Sequence, residues 1–250
     1  MRLIVTRPQE DAKAIIEALA AEGHSAILAP LLEIVALPEA AIPAADYQAV
    51  LVTSANSVRA LTGNPAFERL RHSLAVTVGP ASAAAAKEAG FSRVATADGD
   101  LLSLVRWVER NLAPADGPLL YASGAVSAGD VEKELGAPGY RVRRVVLYEA
   151  RPVPYLPSAA VEALAGSADG VLLYSPRTAQ VWADLVSQAG LREQAARLTH
   201  YCLSGNVASV IERAFGKDCP VAVAAIPEEP ALLRLMGKGG SGLAVPSSLP

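Results

Sequence analysis

Six places in this 250-residue chain end a short apolar run at a small polar residue and then start a helical pattern. They are Thr6-Arg7-Pro8, Ser54 before Ala55-Asn56-Ser57, Gly79-Pro80-Ala81-Ser82, Ser123-Gly124, Ser175-Pro176 and Ser204-Gly205-Asn206. Free N–H groups and the positive dipole end make a helix start attractive to anions, at roughly 0.3–1 kcal/mol each. A set of them suits a ligand with many carboxylates or phosphates. The alternative is that Ser and Pro here only cap helices. Two further residues could do chemistry. Tyr148 carries a phenol able to donate a proton at neutral pH, or it is a packing tyrosine whose hydroxyl finds water. Arg7 could hold a carboxylate through its two-pronged guanidinium, or it is a surface arginine.

The elements that position these residues read as strand, turn, helix, repeated. Apolar, β-rich runs occur at 2–6, 25–37, 49–54, 74–79, 93–97, 119–123, 141–154, 170–175, 198–204 and 220–225. Most are followed by helix-like segments, the pattern of parallel sheets covered on both faces. In such sheets the strand-to-helix junctions share one edge, where these folds bind ligands.

The chain also repeats itself. LVTSANSVRAL (51–61) returns as LLYSPRTAQVW (172–182), TVGPASAAAAKEAG (77–90) as CLSGNVASVIERAFG (202–216), and VATADGDLLSLVRWV (94–108) as VAVAAIPEEPALLRLM (221–236). Three matches in order predict two similar α/β units with a ligand-binding cleft between them. Two extended stretches, 32–37 and 146–153, flank the first copy. They could pair as antiparallel strands, leaving the first unit discontinuous. Alternatively, two sequential domains join near Pro152. The Gly/Ser/Pro-rich tail at 237–250 has linker composition and is expected to be mobile.

The composition excludes several classes. Apolar residues make up 52% and charged ones 19%, so the chain is globular. A net charge of −3 and no dense Lys/Arg run argue against nucleic acid. Only Cys202 and Cys219 occur, which form neither a zinc pattern nor a disulfide framework, and a reducing cytosol is expected. The N-terminal apolar stretch is too short for a signal peptide, and no apolar run reaches membrane-spanning length. There is no G-x-G-x-x-G after the first strand, no G-x-x-x-x-G-K-[ST] and no G-x-S-x-G. His24, His72 and His200 are scattered and read as surface or packing residues, and Trp107 and Trp182 as core anchors. Metal, nucleotide and covalent-nucleophile chemistry find no support.

At VTRP (5–8), VLVTSANSVRAL (50–61), VGPASAAAA (78–86), GYRVRRVVLYEARP (139–152) and YSPRTA (174–179), the chain resembles the uroporphyrinogen-III synthases. The resemblance spans roughly residues 4–233, in family order. It implies two α/β lobes, each a parallel sheet with helices on both faces, joined by a two-stranded antiparallel connection. The lobes would be 1–36 with 154–250, and 37–153. It implies cyclisation of hydroxymethylbilane, a linear tetrapyrrole with eight carboxylates. The terminal hydroxyl leaves as water, the last pyrrole inverts through a spiro intermediate, and uroporphyrinogen III results.

No metal or organic cofactor is implied, and the enzyme is expected to be a cytoplasmic monomer. Tyr148 matches the family's linker tyrosine, a candidate acid for the departing hydroxyl. Thr53, Ser54, Ser82 and Ser175 match positions facing the cleft. With Arg7, Asn56, Gly79, Ser123, Gly124 and Ser204 they make the expected substrate contacts. Val207 departs from the family pattern by lacking a hydroxyl. A two-lobed module that binds a small anion without turnover is the alternative function.

Overall fold

The structure, a computed structural model, describes residues 1–97, 99–127 and 129–237. Beyond Gly237, the expected mobile tail lies outside the described residues. The chain opens with β1 (Arg2–Val5), α1 (Gln9–Ala21), β2 (Ser25–Leu28) and β3 (Leu32–Ala36). There follow β4 (Ala49–Val52), α2 (Ala55–Thr62), α3 (Phe67–Leu70), β5 (Leu74–Thr77), α4 (Pro80–Glu88), β6 (Arg93–Thr96) and α5 (Leu101–Asn111). A single 3₁₀ turn leads to β7 (Leu119–Gly124), α6 (Val131–Gly136) and the long β8 (Val142–Pro152). Last come α7 (Ser158–Leu164), β9 (Gly170–Leu173), α8 (Pro176–Gln188), α9 (Arg192–Ala196), β10 (Thr199–Cys202), α10 (Gly205–Phe215), β11 (Val221–Val223) and α11 (Glu229–Arg234).

Two compact units result. Unit 1 takes Met1–Glu33 and the chain from Pro152 onward; unit 2 is Ile34–Arg151. The sheet of unit 1 has the order β11-β10-β9-β1-β2, all parallel. That of unit 2 runs β6-β5-β4-β7-β8, also parallel, with β3 added beyond β8. Leu37 N–H donates to Leu147 O, and Val153 N–H to Leu31 O. Residue numbers rise on one strand as they fall on the other, so β3 and β8 run antiparallel. These are the two extended stretches on which the chain passes between units.

The two sheets share one strand order when β9, β10 and β11 are laid on β4, β5 and β6, which is the pairing the sequence repeat gives. β1 then matches β7, and β2 matches β8. Unit 2 is written in the order β4 to β8, whereas unit 1 is written with its last two strands first. Simple sequence offsets therefore reveal three strands of the repeat and hide the other two.

Alternation within the short strands sorts side chains to two faces. Ile4, Val171 and Leu173 enter one apolar cluster; Leu3, Val5 and Leu172 enter the other. In unit 2, Val50, Val52, Leu120 and Ala122 face one side, and Ala49, Leu51, Leu119 and Tyr121 the other. Every residue of β4 and β9 is buried, which is why both strands lack alternation in polarity. Trp182 is fully buried and anchors the unit 1 core, whereas Trp107 is only partly buried.

Candidate active site

Register places the polar residues of unit 2 in a row. Val52 pairs with Ala122 and Thr77, and Gly124 pairs with Tyr148. On one sheet edge lie Tyr148 in β8, Ser123 and Gly124 at the end of β7, and Thr53, Ser54 and Gly79 just past β4 and β5. Tyr148 belongs to β8 itself rather than to a loose linker. A register shift between Ser123 and Gly124 turns the β7 end toward it. A Cβ at Gly124 would come within 2.6 Å of Tyr148 Cζ, so the phenol ring lies directly on the glycine. Any side chain there would push the ring away.

Hydroxyls on this edge are tied to neighbours. Ser127 Oγ donates to Gly129 O at 2.7 Å, which uses its one proton. Tyr121 Oη, 2.9 Å from Ser127 Oγ, must therefore donate to it. Thr53 Oγ1, 3.2 Å from Tyr121 Oη, then donates in turn. The chain of bonds fixes the rotor of Thr53. Arg144 clamps the neighbouring turn: Nε donates to Ser123 Oγ at 3.0 Å, and Nη2 to the carbonyls of Gly124 and Ala125 at 3.1 and 3.2 Å.

The serines at helix starts divide into two kinds. Ser54 Oγ accepts from Asn56 N–H at 3.2 Å, and Ser175 Oγ from Thr178 N–H at 3.1 Å, as N-caps do. Gly79 and Ser204, by contrast, make no side-chain cap on α4 or α10. Asn56 is buried, and its Oδ1 accepts from Arg59 Nη2 at 2.6 Å. Ser82 is buried in the first turn of α4. Val207, which lacks a hydroxyl, is fully buried in the unit 1 core.

In unit 1, Val5 pairs with Leu172, and Tyr201 with Leu172. Extending the register sets Arg7, Tyr174 and Leu203 side by side, with Ser175 and Ser204 one step on. Arg7 Nη1 is 2.7 Å from Glu229 Oε2, and its guanidinium lies 4.8 Å from the Tyr174 ring centroid. Burial, with the nearby Glu229 charge, pushes the Tyr174 pKa above the ordinary phenol value. On the far side of the sheet from α1, Trp182 Nε1 donates to His200 Nε2 at 3.2 Å. The His200 proton is thus on Nδ1, facing Cys219 Sγ at 3.3 Å. Burial pushes both thiols up, Cys202 to about 12, which makes them poor nucleophiles. Among the described residues no group of three or more His, Cys, Asp or Glu could hold a metal ion, and no helix is long and apolar enough to cross a membrane.

A family model described as HEM4, uroporphyrinogen-III synthase HemD, matches residues 13–234. The chain belongs to the uroporphyrinogen-III synthase family. Among solved structures, uroporphyrinogen-III synthetase from Helicobacter pylori 26695 is similar at TM-score 0.64 and 18% identity, over 94% of this chain and 98% of that one. A mutant uroporphyrinogen III synthase from the extremely thermophilic bacterium Thermus thermophilus is similar at TM-score 0.50 and 19% identity, over 94% and 96%. These likenesses are of fold. No curated protein sequence matches the chain significantly.

For a family member, the site residues expected from sequence fall into two sets. Unit 2 gathers Thr53, Ser54, Asn56, Gly79, Ser82, Ser123, Gly124 and Tyr148 on one edge; Arg7, Ser175 and Ser204 stand on the corresponding edge of unit 1. Sequence reasoning missed Tyr121, Ser127, Arg144, Tyr174 and Glu229. Tyr174 stands beside Ser175 in the repeated segment, but nothing in the repeat marks its hydroxyl. Tyr121 pairs with Thr53 only through sheet register.

Proposed function

We propose that this chain closes hydroxymethylbilane to uroporphyrinogen III, with Tyr148 as the acid. The activity follows from the family. The observation that carries the acid role is the phenol of Tyr148 lying on Gly124, at the edge where the polar residues of unit 2 converge. Proton transfer from Tyr148 Oη turns the departing hydroxyl into water and leaves a cationic methylene carbon on the first ring. The substituted α-carbon of the last pyrrole attacks it to form the spiro intermediate. One bond of that intermediate then breaks, the inverted ring closes, and loss of a ring proton balances the one supplied. Spontaneous closure gives the isomer without inversion, so the protein's main contribution is orientation.

Eight carboxylates on the substrate call for many donors, and the starts of α4 and α10, which no side chain caps, supply main-chain N–H groups. Ser54 and Ser175 hydroxyls act by capping their helices. We assign the two units as the two lobes of a cytoplasmic enzyme working as a monomer. The test is incubation with freshly made hydroxymethylbilane, followed by oxidation and separation of the porphyrin isomers. Isomer III is the expected product; isomer I alone makes the chain an anion-binding module.

A further inference from the structure

One phenol in unit 1, that of Tyr174, is buried with no acceptor for its proton among the described residues. The Arg7 guanidinium beside it can donate to the phenol oxygen but accepts nothing. Buried polar groups without partners are rare in folded proteins, and each needs a reason. Three features surround this one. The Arg7 guanidinium lies over the Tyr174 ring at 4.8 Å. Its Nη1 holds Glu229 Oε2 at 2.7 Å, with both side chains about a third exposed, at 32% and 29%. Arg7 and Tyr174 line a pocket of about 320 Å³, together with Thr178 and Leu203. Asp11 lines it too, but has a partner of its own.

We propose that Arg7 and the Tyr174 hydroxyl form a receptor for one carboxylate of the ligand, with Glu229 as its resident occupant. This rests on the reading of the chain as acting on a polycarboxylate. Exposed ion pairs contribute little, so exchanging the Glu229 carboxylate for another conserves one weak interaction. The incoming group gains what Glu229 does not make, an O–H···O⁻ bond from Tyr174. Raised above its usual pKa by burial, that phenol stays protonated and remains a donor. An acetate or propionate arm is small enough for the pocket and is the chemistry the guanidinium fork recognises.

Competition for one cation gives a signature that a structural ion pair lacks: removing the two partners has opposite effects on binding. With hydroxymethylbilane as substrate, Glu229→Gln is expected to lower KM about threefold, while Arg7→Ala raises it about tenfold, the scale of one charge-assisted hydrogen bond. Tyr174→Phe is expected to raise KM about fivefold with little change in the melting temperature, because the phenol proton it removes has no acceptor among the described residues. Uroporphyrin binding, followed by fluorescence, gives dissociation constants that move in the same three directions. A raised KM in Glu229→Gln, or a Tyr174→Phe variant that melts lower and binds normally, overturns the receptor. Wild-type protein that makes no isomer III, yet whose variants shift uroporphyrin binding as described, keeps the receptor and overturns the activity.

Discussion

Thr53 in unit 2 and Tyr174 in unit 1 occupy the same slot, one residue before the serine that caps the helix after the central strand. Beside them, on the next strand, stand Ser123 and Arg7. In unit 2 the slot is closed: Thr53 is held by Tyr121, and Ser123 by Arg144. In unit 1 it is half open, with a phenol whose proton has no acceptor among the described residues and an arginine held by an exchangeable carboxylate. The same backbone has thus become a fixed platform in one unit and an adaptable anion contact in the other. A platform suits a catalytic phenol that must not move. An adaptable contact suits a ligand arm that must come and go.

The largest effect expected from this difference is at Tyr148. Tyr148→Phe should lower kcat by about 100-fold or more, the usual scale for losing a general acid, while KM changes little. Tyr174→Phe should act on KM instead, so steady-state kinetics of the two variants separate the roles. If Tyr148→Phe turns over normally, the platform carries no acid.

The next effect concerns the unit 1 core. His200 is fully buried, and burial depresses its pKa from 6.5 to about 4. The unfolded chain therefore takes up the proton first as the pH falls. Stability present above pH 6.5 is lost as the pH drops toward 4, by about 3 kcal/mol. Urea titrations at pH 7.5 and 4.5 should show it. His200→Gln should flatten the profile.

Tyr121→Phe breaks the platform directly. Thr53 loses its acceptor and Ser127 its donor, and stability should fall by about 1–2 kcal/mol. The same substitution at Tyr174 in unit 1 should cost little. Equal losses in urea titrations of the two variants would erase the contrast between closed and open slots.

The smallest effects are at the caps. Ser54→Ala and Ser175→Ala should each cost about 1 kcal/mol of stability, because both hydroxyls accept a helix N–H. Ser204→Ala should stay within about 0.5 kcal/mol, since that hydroxyl caps nothing. Their activities at saturating substrate should remain near wild type. Thermal melts and isomer assays on the three proteins check both points.

Much of the architecture was legible in the chain. The strands announce themselves as short apolar runs, whereas the antiparallel pairing of 32–37 with 146–153 is one of two arrangements the residues allow, and the family resemblance chooses it. Tyr148 stands out as a phenol in a strand that continues past the sheet edge. What could not be read are contacts set by sheet register and by long-range packing. Tyr121 meets Thr53 across 68 residues, and Arg7 meets Glu229 across 222. Spacing along the sequence carries no trace of either. The repeat also hid the match of β1 with β7, because the cyclic shift in strand order breaks a constant offset. The serines show a further limit: residue type finds the helix starts at Ser54, Ser175 and Ser204, but Ser123-Gly124 lies inside β7 and α6 begins only after Asp130, and type does not say whether a hydroxyl is spent on its helix.

That shifted order also bears on how the protein is made. β1 and β2 are synthesised first, yet β9, the central strand that β1 needs, follows the whole of unit 2. A two-strand remnant is not stable alone, so the N-terminal segment must wait on the ribosome with Leu3, Ile4 and Val5 uncovered. Unit 2, uninterrupted in sequence, can fold in the meantime. Pauses in translation before β10 has been made should therefore lengthen the chain's dependence on chaperones, and pauses after α11 should not.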